Sequence, residues 1–151
     1  MKILIAEDDE DKIQDIIDLL DFEYPGCQID AARSLQSGLD MALSGDFDFA
    51  LLDMTMPNYE RSVTDDGGRP HAFAGREILR QMKRRKVKTP AIVVTHFHRF
   101  GPEDDFTTLE QLKIELETRF PNYLGTVRYR GNVDDWRSEL MAFIKIALGK
   151  S

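Results

Sequence analysis

Lys2-Ile3-Leu4-Ile5-Ala6-Glu7-Asp8-Asp9-Glu10 opens the chain after its first methionine. Four apolar residues run without interruption and stop abruptly at acids. An unbroken apolar run of this length is the pattern of a strand buried on both faces. The pattern returns twice. Phe49-Ala50-Leu51-Leu52 ends at Asp53, and Ala91-Ile92-Val93-Val94, entered through Pro90, ends at Thr95. Cys27 to Ala32 and Leu124 to Arg128 are weaker strand segments.

Helical periods fill the spaces between. Ile13, Ile16, Ile17 and Leu20 recur at the i, i+3, i+4, i+7 spacing of an amphipathic helix, which the pair Pro25-Gly26 stops. Leu35, Leu39 and Ala42 mark a second helix with Ser34 as its N-cap. Ile78, Leu79 and Met82 mark a third, followed by the basic run Lys83-Arg84-Arg85-Lys86, a solvated helix end that suits the dipole. Leu109, Leu112, Leu116 and Phe120 mark a fourth, and Trp136, Leu140, Phe143, Ile144 and Ala147 a fifth. Strand and helix alternate five times, which calls for a parallel sheet with helices on both faces. Right-handed crossovers leave few topologies for it.

The 151 residues fit one domain spanning 1–151. With 42% hydrophobic and 31% charged residues the chain has the balance of a globular protein. No apolar run approaches about 18 residues, so no membrane span is expected. The acids after Ala6 exclude a signal peptide. A lone Cys27 cannot form an internal disulfide and suits a reducing cytoplasm. A formal net charge of −7 argues against direct nucleic-acid binding.

In open parallel sheets ligands bind beyond the carboxyl ends of the strands. Glu7, Asp8, Asp9, Asp53 and Thr95 all converge on that edge. Taken singly, each has a structural role: acids after a first strand cap the next helix, and an Asp at a strand end makes a turn. Together they form a like-charge cluster that calls for a cation or for protonated carboxyls. Hard oxygen donors suit Mg2+. An aspartate is a competent nucleophile toward phosphorus, and a hydroxyl such as Thr95 can hydrogen-bond a phosphoryl oxygen.

With Lys2 to Glu10, Leu51-Leu52-Asp53-Met54-Thr55-Met56-Pro57 and Ile92-Val93-Val94-Thr95, the chain resembles the receiver domain of two-component response regulators over nearly its whole length. The resemblance implies a flavodoxin-like (βα)5 three-layer sandwich with a parallel sheet of order 2-1-3-4-5. It implies a stand-alone signalling receiver rather than an enzyme, with Asp53 as phosphoacceptor and Thr95 as switch hydroxyl. Glu7, Asp8, Asp53 and the Thr55 backbone carbonyl would hold Mg2+. A histidine kinase or histidine phosphotransfer protein would be the donor, and an unknown protein the output partner, with no direct nucleic-acid or membrane contact. Gly75 matches the family glycine after Pro57.

The departures are as informative. Tyr129 falls in the slot of the family's strand-five lysine and Arg130 in that of its proline. Arg128 and Arg130 would point to the strand face opposite Tyr129. His96 and Phe97 replace the small residue after the switch threonine. His96 would either hinder a donor or, protonated, stand in for the lysine, and Tyr129 and Arg130 are the other candidate substitutes at the phosphoryl site. Thr126 takes the place of the switch aromatic. Two insertions are expected: a loop over 58–74 with a turn at Asp65-Asp66-Gly67-Gly68 and the basic residues Arg61, Arg69 and His71, and an extended loop plus lengthened fourth helix over 96–123. His96-x-His98 is a weak metal pair without a third ligand.

Three functions stand against one another. The first is a phosphorylatable receiver whose output is a protein contact, since the chain ends just past its last helix. The second is a phosphorylation-independent receiver-like interaction module. The third is an aspartate-nucleophile phosphotransferase, disfavoured because Thr55 stands where a general acid is needed.

Overall fold

The computed structural model describes residues 1–60, 70–131 and 135–149. Five strands form the central sheet: β1 Lys2–Ala6, β2 Gln28–Ala32, β3 Phe49–Leu52, β4 Ala91–Thr95 and β5 Tyr123–Arg128. Five helices connect or follow them: α1 Glu10–Glu23, α2 Leu35–Ser44, α3 Ala74–Arg84, α4 Leu109–Arg119 and α5 Asp135–Ala147. All sheet pairings are parallel and their order is β2-β1-β3-β4-β5, the flavodoxin-like arrangement.

Strand alternation divides the core in two. Leu4, Ala6, Leu52 and Val93 face Ala42 of α2, Ile78, Leu79 and Met82 of α3, and Leu112 and Leu116 of α4. Ile3, Ile5, Phe49, Leu51, Ile92 and Val94 face Ile13, Ile16 and Leu20 of α1 and Trp136, Leu140 and Ile144 of α5. The three central strands are therefore covered on both sides, which is why their sequences are apolar without alternation. No helix among the described residues is long and apolar enough to cross a membrane.

Local chemistry sets the helix starts. The Asp9 side chain accepts the amides of Asp11 and Lys12 at the head of α1. Ser34 and Thr108 each close a capping box, on α2 with Ser37 and on α4 with Gln111.

The insertion after β3 begins and ends as an antiparallel ribbon, Met56–Pro57 against Pro70–His71. The turn expected at Asp65-Asp66-Gly67-Gly68, with Arg61 and Arg69, lies outside the described residues. His71 is inside them, and its Nδ1 accepts the Phe73 amide at 3.1 Å. The second insertion differs from expectation. Its extra residues build another ribbon, Arg99–Phe100 against Thr107–Thr108, ahead of α4. The helix itself is not lengthened: at 11 residues it equals α3. Thr108 fixes its start, and Pro121 follows the end of its apolar stripe.

Candidate functional site

Ala6 of β1 lies opposite Leu52 of β3, so the residues that follow leave the sheet together. The Asp53 amide donates to the Ala6 carbonyl at 2.8 Å, and the Glu7 amide to the Ala32 carbonyl at 2.8 Å. Continuing the strand alternation, Glu7 shares the face of Ile3 and Ile5, and Asp53 that of Phe49 and Leu51, the face covered by α1. Carboxylate oxygens of Glu7, Asp8 and Asp53 lie within 4.8 Å of one another. They open into a cleft of about 260 Å³, which Asp9, Thr55 and His96 also line.

Asp53 is held from three sides. Its Oδ1 accepts the Met54 amide at 2.8 Å. Beneath it Gly75, near the start of α3, leaves no room for a side chain: a Cβ there would come within 2.6 Å of the Asp53 carbonyl oxygen. The third contact is Lys12. Its side chain is 0% exposed, and its Nζ pairs with Glu7 Oε1, lies 3.4 Å from Asp53 Oδ1 and donates to the Val94 carbonyl at 2.6 Å. Glu7 Oε2 meanwhile accepts the amides of Asp8 and Asp9 at 3.0 and 3.2 Å.

Burial dominates the electrostatics. It pushes the Glu7 carboxyl up to about 7, against the pull of Lys12 and with the charge of Asp53 adding to the rise. It also raises Asp53, again opposed by Lys12. With all three acids ionised, Lys12 leaves two negative charges uncompensated. That balance and the all-oxygen donor set fit one divalent cation such as Mg2+.

Sequence reasoning missed Lys12. A signal was present, because Lys12 lies four residues before Ile16 and eight before Leu20, on the same buried stripe. Reading only apolar residue types for the stripe passed over it.

The three candidate substitutes for a strand-five lysine sit elsewhere. The Tyr129 hydroxyl donates to Asp15 Oδ2, and its ring packs on Trp136 at 5.0 Å between centroids. Desolvation and the Asp15 carboxylate hold that phenol well above its ordinary range. Arg130 is exposed. His96 does reach the cleft, but its Nε2 meets Asp9 Oδ2 at 3.1 Å, and its ring stands edge-on to Tyr129. Desolvation raises the Asp9 carboxyl, and the Lys12 amide and His96 outweigh it, leaving it below the usual range. His98 pairs with Arg128 at 3.3 Å and does not converge with His96.

Thr95 is fully buried and its Oγ1 accepts the Phe97 amide at 3.2 Å. Thr55 lines the cleft and its hydroxyl donates to the Ala72 carbonyl, which ties the end of β3 to the start of α3. Thr126, in the slot of the switch aromatic, shares a 2.5 Å hydrogen bond with the Tyr123 hydroxyl.

A carboxylate fixed by an amide and an ammonium, with two further acids beside it, suits phosphoryl acceptance. No protein-family model matches the chain. Over 143 residues it is 34% identical to the uncharacterised protein y4jR of Sinorhizobium fredii, covering 93% of this chain and 94% of that one. Over 144 residues it is 30% identical to the Detocs response regulatory protein DtcB of Enterobacter cloacae, covering 93% and 96%. Among solved structures, a response regulator receiver domain protein (CheY-like) from Methanospirillum hungatei matches with a TM-score of 0.65 at 22% identity, over 98% of this chain and 93% of that one.

Proposed function

The chain belongs to the response regulators and has their receiver-domain fold, and from that premise we propose that Asp53 accepts a phosphoryl group in a Mg2+-dependent reaction. The donor is the phosphohistidine of a histidine kinase or a histidine phosphotransfer protein. Output passes through protein–protein contacts, in the cytoplasm. The observation that carries this reading is the set of Glu7, Asp8 and Asp53 carboxylates, gathered within 4.8 Å at the mouth of a small cleft.

The chain's own groups prepare the acceptor. The Met54 amide and Lys12 hold Oδ1 of Asp53, so the carboxylate is oriented before a donor arrives. Glu7, Asp8, Asp53 and the Thr55 carbonyl are the groups assigned to the ion. Mg2+ would supply positive charge opposite the phosphoryl oxygens.

The test is incubation with acetyl phosphate and Mg2+, followed by intact-mass measurement. Wild type gains one phosphoryl group, and Asp53→Asn gains none. Absence of labelling in wild type, together with no beryllofluoride-induced spectral change, sinks the reading.

One observation favours the phosphorylation-independent alternative. No aromatic stands in the switch slot: Thr126 occupies it, and its hydroxyl is bound to that of Tyr123. On that reading the amide spectrum is identical with and without beryllofluoride, and partner binding is indifferent to Asp53→Asn.

A further inference from the structure

We infer that Lys12, reaching the site from α1, is the cation that contacts the phosphoryl group on Asp53, in place of any residue of β5. The inference rests on the phosphoacceptor reading of Asp53 and goes beyond it by naming the group that faces the new charge.

Its position makes the argument. Lys12 is the third residue of α1 and occupies the stripe that Ile13, Ile16 and Leu20 press into the sheet. Packing in that stripe calls only for an apolar residue, and a buried ion pair taken as a whole is often replaceable by apolar groups. The charge therefore has to be explained by what the ammonium touches. Its partners are Glu7, the Val94 carbonyl and Asp53. Three acceptors match the three protons of an ammonium, so the head group is fixed rather than wandering.

Neutralising Glu7 alone does not require an approach to Asp53. The 3.4 Å contact with Asp53 Oδ1 puts the ammonium beside the carboxylate onto which the charged phosphoryl group is transferred. In the transfer, a lone pair of an Asp53 carboxylate oxygen forms the new O–P bond. The donor's P–N bond breaks, its electron pair returns to the imidazole, and solvent supplies the proton. Lys12 neither gives nor takes a proton. Its contribution is a preplaced positive charge on a buried side chain.

Tyr129 fits the same account. Its ring centroid lies 5.8 Å from Lys12 Nζ, and its hydroxyl is turned to Asp15. The β5 position is thus filled by an uncharged ring lying against the ammonium. A second lysine there would set two like charges side by side.

The experiment compares wild type, Lys12→Met and the double variant Lys12→Met/Tyr129→Lys, with acetyl phosphate as donor and phosphoaspartate read by intact mass. Thermal melts with and without Mg2+ alone are run on all three. Lys12→Met is expected to label about 100-fold more slowly, the scale of losing one preorganised charge donor. Mg2+ is expected to raise its melting temperature more than that of wild type, because three acids then face the ion without a competing ammonium. The double variant is expected to recover labelling, since the charge returns from the neighbouring strand. If Lys12→Met melts below the assay temperature, the folded double variant carries the test. Labelling of Lys12→Met at the wild-type rate overturns the inference, as does a folded double variant that stays silent. A wild type that neither labels nor responds to beryllofluoride overturns the phosphoacceptor reading itself and the role of Lys12 with it.

Discussion

The Cβ that Gly75 lacks would sit 2.6 Å from the carbonyl oxygen of Asp53 and 3.2 Å from the Met54 side chain. Glycine is ordinarily a poor helix residue, and exchanging it for alanine near a helix start would normally stabilise. Here the sign reverses, because the obstacle is backbone. Gly75→Ala is expected to lose about 1–3 kcal/mol, the usual cost of overpacking. Urea unfolding measures the loss, and an unchanged midpoint would show that α3 can withdraw from the end of β3 freely.

Tyr129→Phe separates the strand-five slot from the chemistry. It deletes the hydroxyl that donates to Asp15 and keeps the ring between His96 and Trp136. A loss of about 1 kcal/mol is expected, as for one hydrogen bond. Labelling by acetyl phosphate is expected to continue at the wild-type rate. A large drop would return Tyr129 to the phosphoryl site.

His96 lines the cleft and its Nε2 pairs with Asp9. His96→Ala therefore uncovers the acids without removing a cation from the acceptor. Labelling by a small donor should not slow, and labelling by a phosphohistidine protein should quicken. Slower reaction with both donors would show that the imidazole acts on the phosphoryl group directly.

Acid sensitivity should appear on α3. Two hydrogen bonds from Arg80, assisted by Gln81 and opposed by burial, hold the Glu77 carboxyl down at about 2 from its ordinary 4.5. The folded value lies below the unfolded one, so the fold binds fewer protons there. The contribution is present above pH 4.5 and is lost as pH falls toward 2. The pair is partly exposed, so the effect is small and fades with salt. Glu77→Gln should flatten that part of the curve of melting temperature against pH, measured at low ionic strength.

Sheet order, helix count and most of the acid cluster are legible in the sequence because burial on both faces leaves unbroken apolar runs. Ile3 to Ala6, Phe49 to Leu52 and Ala91 to Val94 reach the same edge, and their following residues must share it. Lys12 is legible only from its place on the stripe of Ile16 and Leu20, and its residue type argues the other way. Charged residues are almost never fully buried unless paired, so a lysine beside Ile13 reads as solvated until Glu7 and Asp53 are placed over it. The ribbons at Arg99–Phe100 and Thr107–Thr108 are two residues each, too short to leave any period. Their residues therefore read as part of an extended loop and a longer fourth helix.

The buried lysine has a consequence for recognising such proteins. Glu7, Asp8 and Lys12 all come from the junction of β1 and α1, six residues long, and Asp53 joins them from the end of β3. The far edge of the sheet is thereby released from supplying a charge, and the residue at 129 can drift. A survey that admits a receiver only when it carries the strand-five lysine would discard every chain built this way. A lysine five residues downstream of the first strand's leading acid, on the inward stripe of the first helix, is the mark that would retrieve them.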